Sequence, residues 1–219
     1  MVTRFAHIPR RSLAVLVTLP ACGGGTLVTG SVGGTDLPKM QSALFVEATD
    51  LYDDSGLVQL YVTDVDDACS TFTAYQEDIS QAQGADDFAT VWSSHFPDRF
   101  WRINIVMRIA DPSVSNGGET LTGVSWDESL QGPGEAYGHL FAYTDTLDEA
   151  YWNHDADDAD YVTTYRTDGG SLTIDRHTPS QRLSGSFETS TVDSEGSGQG
   201  ELDIQFDASH CAELEELGS

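Results

Sequence analysis

The feature that most constrains the fold is an apolar side chain at every second position from 101 to 109, within the segment 99–109. One side of the alternation consists of Trp101, Ile103, Ile105, Met107 and Ile109, and the other contains Arg102, Asn104 and Arg108. Successive side chains of a β-strand project to opposite faces of its sheet. The segment therefore predicts a strand with one buried and one solvated face, which is typical of an antiparallel sheet.

Shorter segments with the same period of two lie on both sides of this strand. Residues 44–48 and 58–62 flank a turn-like stretch at 52–56 and predict a hairpin. Further strands are predicted at 120–126, 137–144, 161–167, 171–176, 182–191 and 201–208. Asp168-Gly169-Gly170 predicts a hairpin turn between two of them. About eight or nine short strands are typical of a β-sandwich or an open barrel.

The period changes after the second strand. Phe72, Tyr75 and Ile79 recur at helical spacing within residues 67–81, and a second short helix is predicted at 86–93. The sequence therefore predicts a mainly β fold, an antiparallel β-sandwich or open barrel with one or two short helices inserted after the second strand. We expect a single β-rich domain over residues 37–212, followed by a frayed acidic tail at 213–219.

The N-terminus has the composition of an export signal. Residues 1–21 combine three arginines with an apolar stretch at 12–19 and contain no acidic residue. This stretch is much shorter than the ~20 residues that a transmembrane helix needs. The segment ends in Leu19-Pro20-Ala21-Cys22, which resembles the lipobox of bacterial lipoproteins, although Pro20 replaces the small residue usual at its position.

The lipobox resemblance implies that residues 1–21 are removed as a signal peptide and that Cys22 is lipidated. The protein would then be a membrane-anchored lipoprotein of the bacterial cell envelope, facing the periplasm or the cell exterior. An ordinary secretory signal cleaved near Ala21 is the alternative. Residues 22–36 are rich in glycine and predict a flexible tether, although Leu27, Val28 and Val32 could supply a short strand instead.

The remaining cysteines support export independently. Once Cys22 is assigned to lipid, Cys69 and Cys211 are the two that are left. An even number of cysteines in an exported chain predicts a disulfide. Closing a loop of about 140 residues stabilises the fold by at most ~5 kcal/mol in the chain-entropy treatment. Two buried free thiols are the alternative.

The chain is strongly acidic, with 10 basic and 36 acidic residues and a formal net charge of −26. Signal removal would leave 7 basic residues against 36 acidic ones, a charge near −29. Such a field repels phosphate backbones and anionic lipid head groups, which argues against nucleic-acid binding and leaves the lipid on Cys22 to hold the membrane. Solubility in a salty habitat explains the charge without any specific site.

The densest acidic cluster lies in a predicted loop and suggests binding of a hard cation. The candidate calcium ligands are Asp155, Asp157, Asp158 and Asp160. Their spacing does not match an EF-hand, and a solvated loop is the alternative interpretation. No residue pattern predicts a catalytic centre or an organic cofactor, and the histidines lack the spacing of a zinc site.

Aromatic residues form two groups, at 92–101 and 137–152. On a sheet face they would suit a sugar ring or a protein partner, and in the interior they would pack the core. We expect a lipid-anchored cell-envelope protein whose domain is a noncatalytic binding or structural module, with an envelope protein or a glycan as its partner. The alternatives are a calcium-dependent binding or adhesion module and a carbohydrate-active enzyme.

Overall fold

The structure is a computed structural model that describes residues 26–48, 56–125 and 130–217. Its strands are β1 (Leu27–Val32), β2 (Thr35–Asp36), β3 (Ser42–Ala48), β4 (Leu57–Thr63), β5 (Phe100–Arg108), β6 (Glu119–Gly123), β7 (Glu135–Tyr143), β8 (Val162–Thr178), β9 (Arg182–Val192) and β10 (Gly198–His210). Its helices are α1 (Ala68–Ile79), α2 (Ala85–His95), α3 (Glu149–Trp152) and α4 (Ala212–Leu217), with a 3₁₀ turn at Asp158–Asp160. The expected mainly β fold is confirmed, and both predicted helices are present as α1 and α2.

The predicted signal peptide and Cys22 lie outside the described ranges. Within those ranges, none of the helices is long and apolar enough to cross a bilayer.

Seven of the strands pair in a circuit. β3 pairs with β4, β4 with β5, β5 with β7, β7 with β8, β8 with β9 and β9 with β10, and each pair is antiparallel. β10 then pairs in parallel with β3, through Ser209 opposite Leu44 and His210 opposite Phe45. The sheet therefore curls into a small barrel that is nearly open at the β3–β10 seam. β1, β2 and β6 add to this sheet.

The interior of the barrel is lined by the apolar face that the sequence predicts for β5. Ile103, Ile105 and Met107 have no exposed surface. Other members of this core are Phe45, Leu60, Leu140, Leu172, Phe187 and Ile204. A barrel of about eight strands is narrow enough for side chains to fill its interior completely. A binding site is therefore expected on the outer surface of this barrel.

A second apolar cluster lies on the outer face, where helices cover one end of the sheet. The chain leaves the barrel at the end of β4 and returns at the start of β5, and these two ends are paired with each other. The helices inserted between them pack Phe72, Trp92 and Phe96 against Phe100 and Tyr143. The rings of Phe100 and Tyr143 stack with their centroids 4.3 Å apart. We call these five residues the covered half of the outer face.

The predicted disulfide between Cys69 and Cys211 is present, with Cα atoms 5.7 Å apart. Cys69 lies in the first turn of α1, and Cys211 directly follows β10. The backbone N–H of Cys211 donates to the carbonyl of Phe45 at 2.9 Å, which extends the β3–β10 seam. The disulfide therefore ties a covering helix to the shortest pairing of the barrel.

The hairpin turn predicted at Asp168-Gly169-Gly170 is wrong, because β8 runs through it as one 17-residue strand. The register opposite β9 shifts between Asp168 and Ser171, and Gly169 and Gly170 have φ angles of +74° and +110°. These features define a β-bulge, which inserts extra residues and bends a strand. The bulge lies where β8 changes its partner from β7 to β6.

Both ends of the domain extend further than the sequence predicts. β1 pairs with β10, so the flexible tether expected over 22–36 is wrong from Leu27 onward, and the alternative of a short strand is correct. This pairing gives the backbone groups of β1 partners within the sheet. At the other end, α4 replaces most of the frayed tail expected at 213–219. Leu214 packs against the second apolar cluster, and Oε2 of Glu215 lies 2.6 Å from Nε2 of His210.

Candidate functional site

The other half of the outer face is polar, and its side chains are aligned across four strands. Tyr61 on β4 lies opposite Asn104 on β5, and Asn104 also lies opposite His139 on β7. His139 in turn lies opposite Arg166 on β8. Directly opposed residues of antiparallel strands project to the same face, with Cβ atoms ~4.5–5.5 Å apart. We call these four residues the polar row.

Neighbouring rows complete the surface around the polar row. They contribute Arg102, Phe141, Gln59, Val106, Tyr137 and Arg108. We call these residues, together with the polar row, the polar face. Every side chain of the polar face is half-buried. Among these described residues, Val106 and Tyr137 belong to neither of the two packed apolar clusters, which distinguishes this surface from the covered half.

The polar face concentrates positive charge in an acidic protein. Seven basic residues lie in the described ranges, and three of them, Arg102, Arg108 and Arg166, belong to this face. Among the described carboxylates, only that of Glu135 lies directly opposite one of these arginines, namely Arg108. Arg108 and Arg166 each make a further interaction within the fold.

Arg102 lies at the border between the polar face and the covered half. Its guanidinium carbon is 4.7 Å from the ring centroid of Phe141 and 5.9 Å from that of Tyr143. A cation over an aromatic ring is attracted to it by ~0.5–2 kcal/mol. The Nε atom of Arg102 is buried and has no hydrogen-bond partner among the described residues. Ring contacts therefore hold this positive charge on the sheet surface.

His139 lies in the middle of the polar row, between two aromatic neighbours. Its ring centroid is 5.7 Å from that of Tyr137 and 6.1 Å from that of Phe141. Burial lowers the pKa of His139 below its usual value of 6.5, and the positive charge of Arg166 lowers it further. The imidazole is therefore neutral at pH 7 and offers one donor and one acceptor. Arg108, His139 and Arg166 each make further interactions within the fold.

Tyr61 and Asn104 contribute a phenol and an amide to the polar row. The hydroxyl of Tyr61 donates to the side-chain carbonyl of Gln59 at 2.7 Å. Burial raises the pKa of Tyr61, and Arg102 partly opposes that rise. The Oδ1 atom of Asn104 is buried and has no hydrogen-bond partner in the described part of the chain. An unpaired buried polar atom costs ~1–3 kcal/mol.

The sequence signals only part of this site. Alternation places Arg102, Asn104 and Arg108 on the wet side of β5, but it does not show which residues lie beside them. The aromatic group at 92–101 supplies residues to the covered half. The group at 137–152 is divided, because Tyr143 belongs to the covered half and Tyr137 and Phe141 belong to the polar face. Arg166 was not predicted, because only the pairing of β7 with β8 brings it to His139.

A second group of titratable side chains lies near the β8–β9 turn. His177 is fully buried, and its Nε2 atom is 3.0 Å from Oε1 of Glu47. The backbone N–H and the hydroxyl of Ser180 approach the same carboxylate, at 3.2 and 3.5 Å. In covalent hydrolases the serine hydroxyl contacts the general base itself, whereas here the serine and the histidine both contact the carboxylate. This group therefore closes the turn.

The four aspartates predicted to bind calcium lie between α3 and β8. Asp155, Asp157, Asp158 and Asp160 are all exposed. The carboxylate of Asp157 accepts the backbone N–H of Ala159 at 3.0 Å and caps the 3₁₀ turn. Within the described ranges, three potential metal ligands have their ligand atoms within 4.8 Å of one another, and these are Cys69, Cys211 and Glu213. The aspartates do not form such a group. The structure thus does not bring the four aspartates together, and the calcium site stays a prediction.

Comparisons with known proteins do not add a family to this description. A scan against protein-family models, a search of curated proteins and a search of solved structures each found no match. The functional argument therefore depends on the polar face and on the sequence.

Proposed function

We propose that the chain is an exported, lipid-anchored protein of the bacterial cell envelope whose barrel is a noncatalytic binding module. The polar row carries this proposal, because it places four hydrogen-bonding side chains side by side on a half-buried sheet surface. Paired strands hold such side chains in fixed mutual positions, and preorganised groups bind a ligand at a lower entropic cost. The polar face is the binding surface in this proposal.

Features of the polar face that weaken the fold support a role in binding. Arg102 and Asn104 each contain a buried polar atom without a hydrogen-bond partner among the described residues. Three arginines share the same surface. Natural proteins depart from well-satisfied local structure mainly at functional sites.

Lipidation of Cys22 would keep the barrel close to the membrane. β1 begins at Leu27, so only residues 23–26 separate Cys22 from the first strand. A chain of this length spans at most about 18 Å. The acidic domain is repelled by anionic head groups, so in this proposal the acyl chains alone hold the protein to the bilayer.

The variant Cys22→Ser tests the anchor. We expect it to leave the membrane fraction for the soluble fraction, because the protein's charge does not attract it to an anionic surface. The double variant Cys69→Ser/Cys211→Ser is the matched control, and it should stay in the membrane fraction. Retention of the Cys22→Ser protein on membranes at 1 M salt, at which the Debye length is only ~3 Å, would contradict the proposal.

A ligand screen of the lipid-free Cys22→Ser chain tests the binding module. NMR shift changes at the amides of the polar row, on addition of envelope glycans or organic acids, are the expected result. Shift changes confined to residues 155–160 on addition of calcium would instead favour the calcium-dependent module. Release of reducing sugar from a glycan would favour a carbohydrate-active enzyme, and either outcome would overturn the proposal.

A further inference from the structure

We infer that aromatic rings and carboxylates at the junction of α2 and α3 form a docking surface for an arginine-bearing basic segment of a partner protein. This surface shares no residue with the polar face, so the inference does not depend on what the polar face binds. Three observations carry it: a group of half-buried rings, two carboxyl groups in contact, and the sign of the surrounding charge.

Four half-buried rings lie at the junction, and we call them the aromatic patch. They are Phe88 on α2, Tyr151 and Trp152 on α3, and Tyr161 directly before β8. The ring centroids of Phe88 and Trp152 are 5.3 Å apart, and that of Tyr151 is 5.3 Å from Trp152 and 5.4 Å from Tyr161. The last three rings pack against the second apolar cluster, whereas Phe88 belongs to neither cluster of the described residues. The aromatic patch therefore extends from the second apolar cluster to the protein surface.

Two polar groups of the aromatic patch already have partners within the fold. The indole N–H of Trp152 donates to the carbonyl of Leu147 at 3.2 Å, and the hydroxyl of Tyr161 donates to Oδ1 of Asp148 at 2.8 Å. These two residues therefore offer a partner the faces of their rings rather than hydrogen bonds. The face of an aromatic ring attracts a cation.

Two exposed carboxyl groups meet beside the aromatic patch. Asp86 lies on α2 and Glu149 on α3, so they join the same two helices as the rings of Phe88 and Trp152. A side-chain hydrogen bond with Asp86, and the negative charge of Asp86, raise the pKa of Glu149 above its usual value. The two groups repel each other when both are ionised. A cation bound between them would reduce this repulsion, and their exposure makes them accessible to a partner.

The surrounding charge indicates that the partner is basic. Residues 82–98 contain three acidic residues and residues 144–161 contain seven, and neither segment contains a lysine or an arginine. The four aspartates at 155–160 belong to the second segment. Arg99 follows the first segment, and its Nε donates to the carbonyl of Thr144 at 3.0 Å. Complementary charge selects partners and accelerates their encounter, so this surface favours a cationic segment.

Arginine fits this surface better than lysine does. Its planar guanidinium stacks on aromatic rings and forms two parallel hydrogen bonds with a carboxylate, whereas an ammonium acts as a point charge. Glu149 lies three positions before Trp152 on α3, so the carboxylate and the ring are neighbours on one side of the helix. A single guanidinium can therefore contact both groups.

Calorimetric titration of the lipid-free Cys22→Ser chain tests the inference with two peptides of equal charge. One consists of four Gly-Arg repeats and the other of four Gly-Lys repeats, and both have blocked ends. The formal charge of −26 attracts both peptides to the whole chain. We expect the arginine peptide to bind about fivefold more tightly, because only its guanidinium groups stack on the rings. The ratio should persist at 1 M salt, which screens the general attraction.

Variants of Phe88 test the role of the rings. Phe88→Leu keeps an apolar side chain but removes the ring, and we expect it to lower the preference for the arginine peptide to about twofold or less. Phe88→Tyr keeps the ring and should retain the preference. The melting temperature of each variant checks that the fold is intact.

A variant of Glu149 tests the location and does not depend on the Phe88 variants folding, because Glu149 is exposed. We expect Glu149→Gln to weaken binding of the arginine peptide about fivefold. Glu201→Gln is the matched control, because Glu201 is an exposed glutamate on β10 outside both acidic segments, and it should leave the affinity nearly unchanged.

The outcomes separate this inference from the proposed function. Equal affinities of the two peptides for the parent chain, or an unchanged preference in Phe88→Leu, would overturn the role of the rings and with it the inference. Equal weakening by Glu149→Gln and Glu201→Gln would show attraction to general charge and would overturn the location. None of these variants alters the polar face, so the NMR screen decides the proposed function by itself.

Discussion

The covered half and the polar face are built from neighbouring residues of the same strands, yet one is core and the other is a candidate binding surface. Phe100 and Tyr143 stack on each other and are 2% and 8% exposed. Four residues further into each strand, Asn104 and His139 lie opposite each other in a half-buried row. The two pairs lie on the same side of the sheet. They differ because the helices between β4 and β5 cover only one end of it.

This comparison shows what alternation in a sequence leaves undecided. A period of two assigns each side chain to a face of the sheet. It does not say which part of a solvated face another element will cover. The helices lie over the end of the sheet where β4 stops and β5 starts, because the chain has to leave and re-enter the barrel there. The position of a residue along its strand therefore decides whether it joins the core or the surface.

Removal of an aromatic ring from the covered half should have the largest effect on stability. We expect Phe100→Ala to lower the free energy of unfolding by ~3–5 kcal/mol, because it deletes a buried ring that stacks on both Phe96 and Tyr143. Asn104→Ala on the polar face is the comparison variant, and it should cost less than about 1 kcal/mol. Urea unfolding at constant salt measures both values, and similar losses would remove the distinction between the two halves.

Loss of the disulfide should have the next largest effect and should act mainly on the covered half. We expect Cys69→Ala/Cys211→Ala to lower the free energy of unfolding by ~2–4 kcal/mol. Cys69 lies on a covering helix, so hydrogen exchange of the α1 amides should accelerate more than exchange at the paired amides of Asn104 and His139. Equal acceleration in both regions would show that the covered half is not a separate unit.

Arg102→Met should have a smaller effect, at the border between the two halves. The substitution keeps a long apolar side chain but removes the cation over Phe141 and Tyr143, so we expect a loss of about 1 kcal/mol. Arg176→Met, on an exposed part of β8, is the control. The melting temperature is the measurement. A loss in the control as large as that in Arg102→Met would mean that the ring contacts contribute nothing.

The smallest effect that we predict is a pH dependence at His139. Its folded-state pKa is lowered, by burial first and by Arg166 second, so the unfolded chain takes up this proton first as the pH falls. The stability that the neutral imidazole contributes is complete above about pH 6.5 and is lost as the pH falls through the folded-state pKa. We therefore expect the parent chain to lose stability relative to His139→Gln on acidification from pH 7.5 to 5.5.

The difference in unfolding free energy between these two proteins at each pH is the useful quantity, because it cancels the titration of groups that both contain. A difference that does not change with pH would show that His139 has the same pKa in the folded and unfolded chains.

Much of the fold follows from local sequence patterns. The alternation over residues 99–109 correctly predicts both faces of β5, since Ile103, Ile105 and Met107 are buried on one side and Asn104 is half-buried on the other. Helical spacing predicts α1, and the even cysteine remainder predicts the link between Cys69 and Cys211. Each of these inferences uses residues whose spacing or number is visible along the chain.

The errors arise where one local signal suits two structures. Two consecutive glycines permit the backbone angles of a hairpin turn and equally those of a β-bulge. At Gly169 and Gly170 the bulge forms because β8 continues across the barrel to pair with both β7 and β6. Similarly, the glycine-rich start predicts a tether, but Leu27–Val32 becomes a strand because the edge of β10 is available to pair with it.

The sequence by itself determined the mainly β class, the buried face of β5, the two helices and the cysteine pair, because these depend on period, spacing and count. Only the tertiary structure decided that Tyr61, Asn104, His139 and Arg166 form one row. Those residues are up to 105 positions apart in the chain, and their adjacency depends on the order and register of four strands. A shift of one residue in any pairing would turn its side chains to the opposite face.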